Sequence, residues 1–419
     1  MNNIIKNCRL CKSKDLQKIL DMGIMSFTGI FPKYKDEDIP SDNMSLAKCT
    51  NCGLVQLEQL YNLNILYGDT YGYRSGLNKS MEKHLNDIVS KCKRIVDLKD
   101  DDIVLDIGSN DGTLLNSYGM KNINKWGIDP LIKKFHIYYE KDIKTVNDFF
   151  NKDNYINNIG SKKAKIITSI AMFYDLVDPL KFSYDIADIL DVNGIWLTEQ
   201  SYFPSMINTN SYDTICQEHL EYYCLKQIYY IAKKINLKII DVEFNNANGG
   251  SFQVIMAHKT SQFNECKDTI KKILEKEKQD GYDGTSPIDK LKENMVLHKE
   301  KLLKFLNDAK LNKKIVYGYG ASTKGNVLLQ YCNITTDLLP KIAEVNSDKF
   351  GSYTPKSLIP IIDEVVAKRE KPDYFLVLPW HFKNNIITRE KEYLASGGKL
   401  VFPLPVFEIY DTSCEEKHT

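Results

Sequence analysis

Apolar positions along the chain fall into short continuous runs separated by stretches of helical periodicity. Residues 77–97 repeat with a helical period, and Asp102-Ile-Val-Leu-Asp-Ile107 then runs as a buried strand into the glycine turn Gly108–Gly112. A helix is predicted over Thr113–Tyr118. Lys125-Trp-Gly-Ile-Asp129-Pro130 follows as a second short strand that ends in an acid. Further strands fit Ala164–Thr168 and Gly194–Glu199, with helical signals between them. This alternation predicts an α/β fold with a parallel doubly wound sheet. After a helix near 224–235, Lys238–Phe244 and Phe252–His258 flank Asn248-Gly-Gly-Ser251, the pattern of an antiparallel hairpin. The Lys/Glu-rich stretch 261–312, broken at Gly281–Pro287, predicts a solvated helical linker. A second α/β unit begins with the strand Lys314–Gly320 and the helix opened by Ala321-Ser-Thr-Lys324. Its later strands are expected at Lys341–Val345, Tyr374–Leu378 and Lys399–Val401. Residues 1–66 show neither period and predict short irregular pieces, followed by a tyrosine-rich stretch from Tyr67 to Ser75. The expected organisation is four segments: 1–66, 67–260, 261–312 and 313–419.

With 419 residues the chain is too long for one ordinary core, which agrees with several domains. A net charge of +1 gives a nucleic-acid partner no electrostatic support. No apolar run is long enough for a bilayer, so no membrane partner is expected. The first residues, MNNIIKNCRLCKSK, lack the hydrophobic stretch of a signal peptide, and the expected location is cytoplasmic. There, the ten cysteines are expected to be thiols or metal ligands rather than disulfides. Four of them stand as Cys8-Arg-Leu-Cys11 and Cys49-Thr-Asn-Cys52-Gly53. Each CxxC places two thiolates on one tight turn, and two such turns complete a four-thiolate Zn²⁺ site. Such a shell is closed, so its role is structural. The plainer reading is four unliganded thiols.

The turn Asp106-Ile-Gly108-Ser-Asn110-Asp111-Gly112 ends the first strand of a βαβ unit. A dinucleotide turn reads GxGxxG and holds a pyrophosphate. Here the spacing is GxxxG, and Asp106 and Asp111 would repel that group. The acids suit a cationic cofactor with a sulfonium, an amino group and a ribose. Asp129, with Pro130 after it, ends the next strand, where a carboxylate commonly accepts from ribose hydroxyls. The combination favours S-adenosylmethionine over NAD. Ser169 and Met172, at the end of a further strand, sit where the adenine or methionine moiety would lie. The alternative is that Gly108 and Gly112 only permit close packing.

Four features occur in series: the paired cysteine knuckles, DIGSNDG, Tyr212-Asp-Thr-Ile-Cys-Gln-Glu218-His219-Leu-Glu-Tyr-Tyr223, and GYGASTKGNVLLQY at 318–331. Together they resemble the nucleotide-sugar C-methyltransferases of deoxysugar pathways, over essentially the whole chain. The resemblance implies a zinc-binding N-terminal domain, a class I methyltransferase domain of Rossmann-like form, and a second Rossmann-like domain that takes the nucleotide sugar. It also implies methylation of the carbon beside the ketone of an NDP-4-keto-deoxysugar, usually the third ring carbon. Gln217 stands where members usually have His. Cys216 stands where many have Tyr, so an acid role carried by that Tyr does not transfer.

Carbon methylation needs a carbanion, and a ketone acidifies the neighbouring C–H enough for a placed base. His219 is the candidate base, with Glu218 to bind a sugar substituent or orient a neighbour. Tyr71 and Tyr73, in YGYRS, resemble the family's active-site tyrosine motif and would donate to the enolate oxygen or line the sugar pocket. Glu199, at the carboxyl edge of the sheet, is a further substrate-binding candidate. In the C-terminal unit, Ser322 and Lys324 at a helix N-terminus suit a diphosphate, and Trp380 suits the nucleotide. The competing functions are sugar O-methylation, NAD-dependent oxidoreduction and a non-catalytic zinc-knuckle protein.

Overall fold

A computed structural model of the chain describes residues 4–67 and 72–412. Three sheets organise it. In the first, β1 (Leu16–Ser26), β2 (Ser41–Cys49) and β3 (Val55–Leu57) run antiparallel, and the fourth strand, β9 (Glu221–Tyr222), comes from far along the chain. This corrects the irregular N-terminal region expected from sequence. β1 and β2 carry register shifts and bury irregular sets of positions, so they lack the alternation that would have marked them as strands.

The second sheet uses β4 (Ile103–Ile107), β5 (Asn124–Ile128), β6 (Ile143–Val146), β7 (Ala164–Ile170), β8 (Leu190–Ser201), β10 (Leu237–Asn245) and β11 (Ser251–His258). Its order is β10-β11-β8-β7-β4-β5-β6, with β4 to β8 parallel and the β10–β11 hairpin antiparallel against β8. A parallel doubly wound sheet closed by such a hairpin is the class I methyltransferase architecture. The strand order reverses about β4, so the carboxyl ends of β4 and β7 open the crevice where a ligand sits.

The third sheet has β12 (Val316–Tyr319), β13 (Ile342–Glu344), β14 (Ile361–Asp363), β15 (Tyr374–Val377), β16 (Lys399–Phe402) and β17 (Glu408–Tyr410). The order β14-β13-β12-β15-β16-β17 is again Rossmann-like, parallel except at β17.

The charged stretch expected to be a solvated linker is two helices, Lys267–Gln279 and Ser286–Leu311. The second buries Leu291, Met295, Leu302 and Leu306 at helical spacing in the core it shares with β1 and the C-terminal sheet. Its lysines and acids cover only the outward face. Another core joins Cys8, Cys49 and Cys52 to Ile103, Trp196 and Phe252 of the second sheet.

Candidate functional site

Cys8 and Cys11 lie on the turn before β1. Cys49 ends β2, and Cys52 lies on the turn into β3, where Gly53 takes φ +78°. The Cys8 and Cys52 Sγ atoms are 3.6 Å apart, those of Cys11 and Cys49 are 3.5 Å apart, and all four lie within 4.8 Å of one another. Thiolates about 2.3 Å from a tetrahedral Zn²⁺ are about 3.8 Å apart, so the set fits the ion. Gln56 Nε2 donates to Cys8 Sγ at 3.2 Å, and Asn51 Nδ2 donates to Cys11 Sγ at 3.5 Å. Such donors fix the thiolates from outside the shell. Four protein ligands leave no place for a water, which makes the zinc structural.

The glycine turn after β4 is held by its acids. Asp106 is buried and accepts from Thr168 Oγ1 at 2.6 Å. Burial, with the nearby Asp129 charge, pushes its pKa up to about 7. Asp129 accepts from the Asn110 N–H at 2.9 Å and the Leu131 N–H at 2.6 Å, and burial raises its pKa. Pro130 lies between those anchors. Asp111 accepts from the Gly76 N–H and the Thr113 hydroxyl, with Arg74 at 3.5 Å. At Gly108, φ is +71° and a Cβ would lie 3.0 Å from Met172 Cγ, so only glycine lets Met172 close on the turn. Gly112 also has positive φ, and its missing Cβ is filled by the Tyr139 ring. Asp106 and Asp129, with acceptor capacity to spare on a glycine turn at the sheet's crevice, fit a cofactor that carries a cation and ribose hydroxyls, while Asp111 has both oxygens engaged and braces the turn. Ser169 does not join them. It is fully buried, and its hydroxyl accepts from the Trp196 indole at 2.9 Å.

A strap crosses this turn. The Ser75 N–H donates to Asn110 Oδ1, and Asn110 Nδ2 donates to the Tyr73 carbonyl. The Tyr73 side chain itself is 48% exposed, and Tyr71 lies outside the described residues. Glu199 is buried with both oxygens engaged: His84 Nε2 lies at 2.7 and 3.0 Å, and Asn245 and Gln253 donate to it at 2.8 Å. It therefore anchors the helix Lys79–Ile95 to the hairpin instead of waiting for a substrate.

The reaction centre forms around Tyr212–Tyr223. His219 lies just before the strand β9. His219 Nδ1–H donates to the Thr214 carbonyl at 2.8 Å, which leaves Nε2 with its lone pair. Its ring packs 4.3 Å from that of Tyr174. Burial, with the Lys324 charge nearby, pulls its pKa down to about 3. Lys324 reaches across from the C-terminal unit. Its Nζ donates to the Asn248 carbonyl at 2.8 Å, its other two hydrogens meet no partner among the described residues, and it faces Asp213. Asp213 accepts from Trp380 Nε1 at 2.8 Å, and Gly249 lies against the Trp380 ring. Trp380 thus joins two units, and Ser322 caps its helix through the Gly325 N–H at 3.0 Å.

Asp213 Oδ1, Glu218 Oε2, Asp175 Oδ1 and His381 Nδ1 are buried without hydrogen-bond partners among the described residues, and of these four residues only Glu218 is named from the sequence. Gly29, from the N-terminal unit, presses its Cα against Glu218. Asp213 lay inside the quoted motif and His381 beside Trp380, so both were within reach. Gly29 carried no signal.

Comparison with known families agrees with this layout. A model described as "Putative zinc binding domain" matches residues 8–67, a methyltransferase domain matches 77–242, and a C-methyltransferase C-terminal domain matches 246–405. C-methyltransferase NovU of Streptomyces niveus is 25% identical over 407 residues, covering 96% of each chain. Among solved structures, an S-adenosylmethionine-dependent methyltransferase from Clostridium acetobutylicum is 13% identical with TM-score 0.34, over 42% of this chain and 92% of that one. The plantazolicin methyltransferase BpumL, solved with SAH, is 11% identical with TM-score 0.33, over 42% and 82%. Three domain models that follow one another along the chain make it an S-adenosylmethionine-dependent methyltransferase with zinc at its N-terminal cysteines, similar almost end to end to a C-methyltransferase.

Proposed function

We propose that the chain methylates a ring carbon of a nucleotide-linked keto-deoxysugar, the third carbon of an NDP-4-keto sugar, through an enolate made by His219. One observation carries the reading. His219 is a buried imidazole kept neutral, with Nδ1–H spent on Thr214 and Nε2 free, near four buried polar atoms that have no partner among the described residues and suit a polar ligand. A neutral histidine is the form that removes a proton.

Bound S-adenosylmethionine supplies an electrophilic methyl group. Asp106 and Asp129 would hold its charged and hydroxyl groups on the glycine turn that Asp111 braces, and Met172 closes over Gly108. The sugar lies between His219 and the C-terminal unit. Lys324 gives its two remaining hydrogens to anionic oxygens of the substrate, with Asp213 balancing its charge. Trp380 and His381 flank the nucleotide side. His219 Nε2 takes the hydrogen beside the ketone, and Glu218 binds a sugar hydroxyl. On this reading residues 1–66 carry the zinc, 67–260 the cofactor, and 313–419 the nucleotide, with 261–312 packed between. No helix among the described residues is long and apolar enough to cross a membrane.

The test is His219→Asn with an NDP-4-keto-deoxysugar. Methyl transfer is expected to fall by roughly 10²–10⁴-fold, the range for a lost general base, with cofactor binding intact. With S-adenosylhomocysteine in D₂O, the wild type exchanges hydrogen at the target carbon and the variant does not. A variant that still exchanges and methylates removes His219 as the base. Methylation of a substrate whose ketone has been reduced would instead establish transfer to oxygen.

A further inference from the structure

The turn after β7 brings a second carboxyl to the reaction centre. Asp175 ends the helical turn Phe173–Asp175, and the Leu220 N–H donates to the Tyr174 carbonyl at 2.8 Å, tying that turn to the residue after His219. Asp175 Oδ2 accepts from the Tyr67 hydroxyl at 2.8 Å. Asp175 Oδ1 is shut off from solvent and meets no partner among the described residues, and the same holds for Glu218 Oε2. The titratable groups that face Asp175 are Tyr67, Cys216, Glu218, Glu221 and Tyr222. Of the cations nearby, Arg9 stands 3.8 Å from Glu221, and Lys324 lies near Cys216 and His219. Burial raises Asp175 well above the usual carboxylate range, with the Glu218 charge adding to it, and burial also raises Glu218. Two carboxyls that repel each other, each with one oxygen shut off from solvent, do not readily both ionise. The protonated one has a single O–H to give. An acid held neutral in this way is a donor for a developing oxyanion.

We propose that Asp175 is a further catalytic residue, the neutral acid whose O–H is given to the substrate's ketone oxygen while His219 removes the hydrogen from the neighbouring carbon. The proposal rests on the keto-sugar reading above. The electrons balance without another reagent. The C–H pair becomes the C=C bond, the carbonyl π pair moves onto oxygen, and Asp175 keeps its proton and donates it as a hydrogen bond to that oxygen. When carbon takes the methyl group, the C=C pair forms the new C–C bond, the S–CH₃ pair stays on sulfur, and the carbonyl is restored. The proton held by His219 leaves to solvent.

The experiment compares the full-length wild type, Asp175→Asn and Asp175→Leu with an NDP-4-keto-deoxysugar, reading S-adenosylhomocysteine release across neutral and alkaline pH and cofactor binding by calorimetry. Leucine abolishes the donor, and transfer is expected to fall by about 10²–10³-fold, as when an oxyanion-hole donor is removed, with cofactor affinity unchanged. Asparagine keeps a weaker donor that cannot ionise. It is expected to lose about tenfold, consistent with a neutral rather than an acid donor. The wild-type rate should decline on the alkaline side as the carboxyl loses its proton, and that limb should be absent from Asp175→Asn. Wild-type rate and an unchanged alkaline limb in Asp175→Asn would overturn the proposal alone. So would loss of cofactor binding in both variants, which would mark a structural acid. A wild-type enzyme that binds S-adenosylmethionine but turns over no keto-sugar would overturn the substrate reading, and the role of Asp175 with it.

Discussion

Gly29→Ala tests whether the N-terminal unit builds part of the reaction centre. The loop after β1 passes between the motif and the C-terminal unit. There the Thr28 N–H and hydroxyl donate to Gln217 Oε1 at 3.2 and 2.9 Å, and Asn326 Nδ2 donates to the Thr28 carbonyl at 2.7 Å. A Cβ on Gly29 would lie 2.5 Å from Glu218 Oε1 and 3.7 Å from Thr323 Oγ1. Ordinary contact begins near 3.4 Å, so the carboxylate must retreat by about 0.9 Å. Gly29 does not occupy the left-handed region, so alanine adds no backbone strain, and it narrows the unfolded ensemble by roughly 0.4–1 kcal/mol. Global stability is therefore expected to change by no more than about 1 kcal/mol, seen as a melting shift of a few degrees at most. Activity should respond differently, because a displacement of about 1 Å at a substrate-holding group is worth up to about 10²-fold. The expected result is a kcat reduced by about 10- to 100-fold, with unchanged S-adenosylmethionine binding by calorimetry. Wild-type kcat in a folded Gly29→Ala enzyme would refute the placement of Glu218 at the substrate.

Two further outcomes follow from the same geometry. Cys49→Ser should lower bound zinc from about one per chain, read by metal analysis, and should speed hydrogen exchange over residues 214–224, because β9 hangs on the sheet next to the knuckle; unchanged zinc would remove Cys49 from the ligand set. His219, held to about 3, and His298, held to about 4 by burial, stay neutral in the folded chain while unfolded histidine titrates near 6.5. The unfolded chain then binds more protons, so the stability present above pH 6.5 is lost as pH falls towards those values, by up to about 1.4 kcal/mol per unit for each residue. Denaturant unfolding at pH 7 and pH 5 measures this, and equal stability at both would mean that the two rings protonate in place.

The sequence made the two parallel sheets legible because their strands are continuous apolar runs that end in glycine turns, as at Ile103–Gly108 and Val316–Gly320. The cysteine knuckles were legible from spacing alone. What stayed hidden depends on contacts between residues far apart in the chain. β1 and β2 bury residues in an irregular order because the register of one against the other shifts twice. The helix Ser286–Leu311 has a weak apolar face in a lysine-rich setting, and only the partners it meets show which side is buried. Glu199 looked like a ligand because of its place on the sheet edge. That place says nothing of His84, 115 residues earlier, which occupies it. Gln217, which departs from the usual His, reads as a loss in sequence. In the structure it ties Thr28 and Ser26 to the motif, beside Asn326 and Gln330 of the C-terminal unit.

The pairing of β9 with β3 has a consequence for how such chains are recombined. Val55 faces Tyr222 and Gln56 faces Glu221, while the Leu57 N–H donates to the Leu220 carbonyl at 2.9 Å. Gln56 also reaches back to Cys8 Sγ. An N-terminal segment cut at residue 66 would keep its cysteines but expose β3 as a raw edge open to pairing with other chains. The recipient would carry a two-residue strand with nothing to pair against, directly after its histidine. A chimera between relatives is therefore expected to work only when residues 4–66 and 212–224 are exchanged together, since they behave as one heritable part despite lying some 150 residues apart in the chain.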